Sequence, residues 1–271
     1  MRIAGLIAAL AFTVCCTAAA LAAEGGRGVT LVPHQATYEL SLGDASGASP
    51  VVLANGRLYF EWADACDGWT VVQKFRVSLV YEDGFAHNFG WSLSSWESKD
   101  GKRYRFFIRR FGDSGETGRV RGEARLQDDG SGEAVFSEPE ERRMPLPSGT
   151  IFPTQHTIDV LTRAQDTLAP QWRLVFDGSG DEGLFGVSAA LSRRLPAGAG
   201  TQISSPLLEQ VPSWRMNLAF YGPDESNVEP DQEQDLRLFA NGIVDEMRLN
   251  YGDFALDADL IAVEQLPGAG C

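Results

Sequence analysis

Leu146-Pro147-Ser148-Gly149-Thr150-Ile151-Phe152-Pro153-Thr154-Gln155-His156, running on to Leu168-Ala169-Pro170, is the one long helical pattern in the chain. Pro153 suits a first helical turn, where the N–H it lacks would have no partner, and Pro170 blocks continuation because the residue before a proline avoids helical dihedrals. The bracket predicts a helix over about 153–169. Ile158, Leu161, Ala164 and Leu168 share one stripe with Val160 beside it, while Asp159, Arg163 and Asp166 fall away from it. Such a helix has one face to bury, and the surrounding sequence supplies what buries it.

Outward from that stretch the chain alternates with a period of two. Trp69, Val71, Gln73, Phe75, Val77, Leu79 and Tyr81 face one way, against Thr70, Lys74, Arg76 and Ser78. Gln73 interrupts this apolar side and needs a partner if buried. His34 to Leu42, Gly56 to Trp62, Phe85 to Leu93, Tyr104 to Ile108, Val120 to Leu126, Trp172 to Phe176, Leu184 to Leu191, Trp214 to Phe220 and the runs after Asp235 behave alike. Glu82-Asp83-Gly84 and Lys99-Asp100-Gly101 turn the chain between them. Pro196 to Pro206 reads as a loop rich in small residues, and Pro223 to Asp235 as an acidic loop. The expectation is a mainly β protein of one domain, residues 24–271, with about a dozen mostly antiparallel strands closing around one main helix.

Residues 1–23 carry Arg2, an apolar run and small residues at the end, the pattern of a secretory signal peptide. Cys15 and Cys16 lack the Leu-small-small sequence that lipoprotein processing needs. With the leader removed, Cys66 and Cys271 remain. In an oxidising compartment they either pair or stand as two separate thiols, and pairing is the simpler reading. The chain has 23 basic and 37 acidic residues, a formal charge of −14, which disfavours nucleic acid and broad adhesion to anionic membranes. A local exception runs from Lys102 to Arg125. It reads either as a sheet face with cross-strand ion pairs to Glu116 and Glu123, or as a docking face for an anionic envelope component.

Reaction chemistry is sparse. His34, His87 and His156 have no short metal-ligand spacing, so no metal and no cofactor are expected. Asp177-Gly178-Ser179-Gly180-Asp181 resembles the start of a calcium loop, but Glu182 and Ser188 stand where Gly and Glu belong, leaving a hairpin turn. There is no nucleophile elbow, phosphate loop, His-Glu-x-x-His or Cys-x-x-Cys. An enzyme is therefore not expected, although Glu61, Asp64 and Glu97 could pair in space without a sequence signature.

Several segments carry a resemblance: Leu31-Val32-Pro33-His34-Gln35-Ala36-Thr37-Tyr38-Glu39-Leu40, Asp67-Gly68-Trp69-Thr70 with Gln73-Lys74-Phe75, the helix entry at Leu146 to His156, Val175-Phe176-Asp177-Gly178, and Asn250-Tyr251-Gly252-Asp253-Phe254 with Cys271. In this order they resemble the envelope integrity protein B family of alphaproteobacteria. The resemblance implies a long spiralling, half-barrel-like antiparallel sheet wrapped around a helix, a Cys66–Cys271 disulfide, a periplasmic location and a role in cell-envelope integrity. No catalytic residues come with it. The expected activity is binding of a peptide or another envelope protein, and the alternative is carriage of lipid or lipoprotein acyl chains. The expected groove draws on His34, Trp69, Gln73, Phe75, Trp91, Phe152 and His156, the aromatic ones among them being equally suited to core packing. His156 stands in the helix's first turn, where the dipole favours its neutral form.

Overall fold

The computed structural model describes residues 28–47, 49–179, 183–222 and 229–271. The expected leader, Gly180 to Glu182 of the presumed turn, and 223–228 of the acidic loop lie outside them. Fifteen strands follow in chain order. The first eight are β1 (His34–Ala45), β2 (Val51–Asp64), β3 (Gly68–Tyr81), β4 (Ala86–Ser98), β5 (Arg103–Gly112), β6 (Gly115–Leu126), β7 (Gly132–Glu138) and β8 (Arg142–Leu146). Next come β9 (Thr150–Ile151), helix α1 (Pro153–Ala164), β10 (Gln171–Phe176), β11 (Leu184–Leu195) and the short helix α2 (Pro206–Glu209). The chain finishes with β12 (Ser213–Tyr221), β13 (Gln232–Phe239), β14 (Val244–Asn250) and β15 (Phe254–Gln265).

All fifteen belong to one sheet, ordered β8-β7-β6-β5-β4-β3-β2-β1-β15-β14-β13-β12-β11-β10-β9. The chain thus builds one arm outward from β1 and returns along a second arm that ends beside β1, where β15 pairs from His34↔Gln265 to Ala45↔Phe254. Among the described residues only β9 and β10, bridged by α1, run parallel. Register shifts in several ladders, among them β1/β15, β2/β3, β5/β6 and β11/β12, strengthen twist and coil the sheet.

The two sheet edges, β8 and β9, are separated in sequence only by Pro147–Gly149 and make no ladder with each other. Packing closes the molecule there instead. Tyr104, Phe106, Phe136, Leu146, Phe152 and Phe176 form one buried cluster drawn from both arms. Tyr104 stacks on Phe152 at 5.1 Å and its hydroxyl donates to the Asp177 carbonyl at 3.3 Å. Gly178, at φ 75°, lies so close to the Phe106 ring that a Cβ would sit 2.5 Å from it, so both the turn and the contact require glycine. The result is a nearly closed, barrel-like sheet.

Helix α1 buries Thr154, His156, Val160, Leu161 and Ala164, the last three packing in one cluster with Ala189, Leu191, Trp214, Met216, Leu236 and Leu238. It stops at Ala164, not at 169. The apolar surface available to it ends there, Leu168 is left 40% exposed, and Thr167 Oγ1 takes the Ala169 N–H in a local turn. Within the stretch expected to be loop, Ser205 accepts from the Leu207 N–H at 3.3 Å and starts α2, whose Leu208 is fully buried.

The cysteine pair is a disulfide, Cys66 to Cys271, with a Cα–Cα distance of 5.9 Å. It ties the β2–β3 corner to the segment after β15, spanning the ladder where the arms meet. Beside that ladder, Arg237 and Asp245 form a buried ion pair: Arg237 Nε donates to Asp245 Oδ1 at 2.6 Å and Nη1 to the Ala199 carbonyl at 2.9 Å. The 199–202 segment covers the pair, the Gln202 N–H donating to Asp245 Oδ2 at 3.2 Å, and each charge is the partner that permits the other's burial.

Candidate functional site

The coiled sheet encloses a cavity in two connected parts. The outer chamber, about 620 Å³, is walled by Phe60, Phe75, Trp91, Leu93, Phe185 and Phe220, with Arg110, Asp231 and Gln232 also on its lining. The inner chamber, about 230 Å³, shares His34, Phe60, Gln73, Leu93 and Asp177 with it and ends against the first turn of α1 at Pro153, Thr154 and Thr157.

Of the residues picked from sequence, His34, Gln73, Phe75 and Trp91 come together on the outer chamber, and His34 and Gln73 reach the inner one as well. The other three lie elsewhere. Trp69 stacks on Trp62 at 4.3 Å with Lys99 Nζ 4.3 Å from its ring centroid, outside both linings. Phe152 belongs to the closing cluster. His156 is buried in α1 away from the chambers, and burial drives its pKa down to about 4, with Asp159 opposing and Arg173 assisting.

Three carboxylates that the groove prediction omitted line the cavity: Glu97, Asp177 and Asp231. Phe89, Trp91 and Leu93 set the inward period of β4, and continuing it carries Ser95 and Glu97 inside, so the signal was present. Glu97 caps α1, which has no side-chain cap of its own: its Oε2 accepts the Thr154 N–H and its Oε1 the Gln155 N–H, each at 2.8 Å. Burial pushes its pKa up to about 7 against the pull of those N–H groups. Asp177, also raised by burial, lines both chambers and accepts the Ser179 N–H at 2.7 Å. Glu61 and Asp64 are engaged elsewhere, by the Tyr59 hydroxyl at 2.5 Å and by Lys99 at 2.8 Å.

His34 Nδ1 lies 2.7 Å from the Val32 carbonyl, which can only accept, so Nδ1 carries the ring proton and Nε2 presents a lone pair. Burial lowers its pKa, which keeps the ring neutral. Among the described residues no group of three or more His, Cys, Asp or Glu is arranged to hold a metal ion. The basic run is occupied by ion pairs: Glu116 takes both Arg109 and Arg119 at 2.6 Å, Glu138 takes Arg121 at 2.9 Å, and Glu123 takes Arg125 at 3.2 Å. Arg103 and Arg105 lie over Trp96, at 5.3 and 5.1 Å from its centroid.

A coiled antiparallel sheet that wraps a helix and keeps a mixed polar and apolar cavity defines a barrel-like scaffold. The EipB-like family model matches residues 26–267, and the chain belongs to that family. It is 28% identical over 248 residues to the cell envelope integrity protein EipB of Brucella abortus (strain 2308), covering 90% of this chain and 87% of that protein. A crystal structure of a beta-barrel-like protein of domain of unknown function DUF1849 from Brucella abortus superposes with a TM-score of 0.80 at 25% identity, over 88% of this chain and all of that one. Among the described residues no helix is long and apolar enough to cross a membrane.

Proposed function

We propose that this protein supports cell-envelope integrity from the periplasm, without catalysing a reaction, by holding a peptide segment of an envelope protein in the cavity of its coiled sheet. The name of the Brucella relative supports the envelope role, and the leader sequence supports export. The observation that carries the peptide reading is the lining. Apolar walls from Phe60, Phe75 and Trp91 are interrupted by His34, Gln73 and Asp177, buried or half-buried groups that a hydrocarbon chain would leave unpaired and a peptide backbone can satisfy. Glu97, with both oxygens committed to helix N–H groups, is a cap and not a free acid or base.

The test is retention of peptides from a random library by the purified protein, beside a fluorescent fatty-acyl probe. Peptides are expected to be held by the wild type and lost, by about tenfold or more, in Trp91→Ala, since burying a large aromatic against a ligand contributes at least 1–2 kcal/mol. Retention of the acyl probe with no peptide bound would transfer the function to an acyl carrier.

A further inference from the structure

The inner chamber has an unbalanced chemistry. Glu97 and Asp177 line it, and no Lys or Arg does. His34, 3% exposed, adds a further acceptor, an Nε2 with no partner. Two of the hydroxyls on the lining are already engaged: Thr157 donates to the Pro153 carbonyl at 3.1 Å and Tyr104 to that of Asp177. Beside these acceptors, Phe60, Val71 and Leu93 offer apolar surface for methylenes. Buried acceptors and carboxylates without a facing cation are costly, so the occupant that suits them brings donors and positive charge.

We propose that the inner chamber receives a primary ammonium group on an aliphatic stem, as on a lysine side chain of the bound peptide, with His34 Nε2 and the Asp177 carboxylate accepting its hydrogens. This rests on the peptide reading and names the group that the peptide inserts. A carboxylate or phosphate head meets Glu97 and Asp177 and is turned away. Trp62 Nε1–H, an unpartnered donor on this lining, is met by a carbonyl oxygen at the root of the stem.

The experiment is calorimetric titration of the full mature protein with the acetylated, amidated pentapeptide Ala-Phe-Lys-Ala-Ala and its versions carrying norleucine or Nε-acetyl-lysine in place of lysine. Charge-assisted hydrogen bonds to buried acceptors predict tenfold or greater preference for the lysine peptide over both analogues. Asp177→Asn should erase that preference. Nitrogen NMR of His34 in the wild type gives an independent reading, a shift of Nε2 with the lysine peptide and none with norleucine. Equal binding of all three peptides overturns the ammonium assignment and leaves the peptide reading intact, and so does a lysine preference that survives Asp177→Asn with His34 Nε2 unmoved. Binding of none of the three sinks both.

Discussion

The two arms of the sheet meet twice, and the meetings are built differently. At β1/β15 they are joined by a full antiparallel ladder and clipped by Cys66–Cys271. At β8/β9 there is no ladder, and closure rests on the aromatic cluster around Tyr104, Phe152 and Phe176, with α1 capped by Glu97 from β4. The first seam is fixed by backbone hydrogen bonds and a covalent bond, which do not open by side-chain rearrangement. The second depends on packing and on titratable groups, so it is the seam that conditions can loosen. The inner chamber ends on α1 beside that second seam, so loosening there would reach the cavity wall.

Removing the clip should have the largest effect. With the cysteines 205 positions apart, Cys66→Ser is expected to lower unfolding stability by about 5 kcal/mol on the chain-entropy model, measured by urea denaturation. Loss of less than about 1 kcal/mol would mean that the ladder alone holds the first seam. Phe152→Ala should cost about 3–5 kcal/mol through cavity formation. Amide exchange should then rise in β8, β9 and α1 while β1 and β15 stay protected, and uniform deprotection would erase the contrast between the seams.

The finest distinction is in pH. His156 has a folded pKa of about 4, below its ordinary value of 6.5, so its stabilising share is complete above 6.5 and is lost as pH falls towards 4. That share is about 3 kcal/mol, and His34 acts in the same sense. Glu97 runs the other way: its folded pKa, raised from 4.5 to about 7, makes its share complete below 4.5 and lost as pH rises through 7. Between about 4.5 and 6.5 the two slopes oppose. His156→Gln should therefore gain stability relative to wild type as pH drops from 7 to 4.5, in urea midpoints taken across that range. Parallel profiles would remove α1 from the acid response.

Alternation made most strands legible, because a half-buried sheet writes its inward face into every second residue, as in Phe75, Val77 and Leu79 of β3. The start of α1 was equally plain, since Pro153 is a local signal. Its end was not, because Leu168 continues the helical stripe and only the extent of the facing apolar surface decides that it stays exposed. The pairing of β1 with β15 depends on register across more than two hundred residues, which no local pattern encodes. Within the cavity, Gln73 was visible as a polar break in an apolar face. Asp177 looked like a turn residue, and the burial of Arg237 and Asp245 depends on the distant 199–202 segment, which no local pattern announces.

The partner of β1 is residues 254–265, so a ribosome must synthesise nearly the whole chain before that first strand finds its neighbour on one side. Until then its open flank is a template for any other extended segment. Contacts so distant in sequence form slowly, which lengthens that interval.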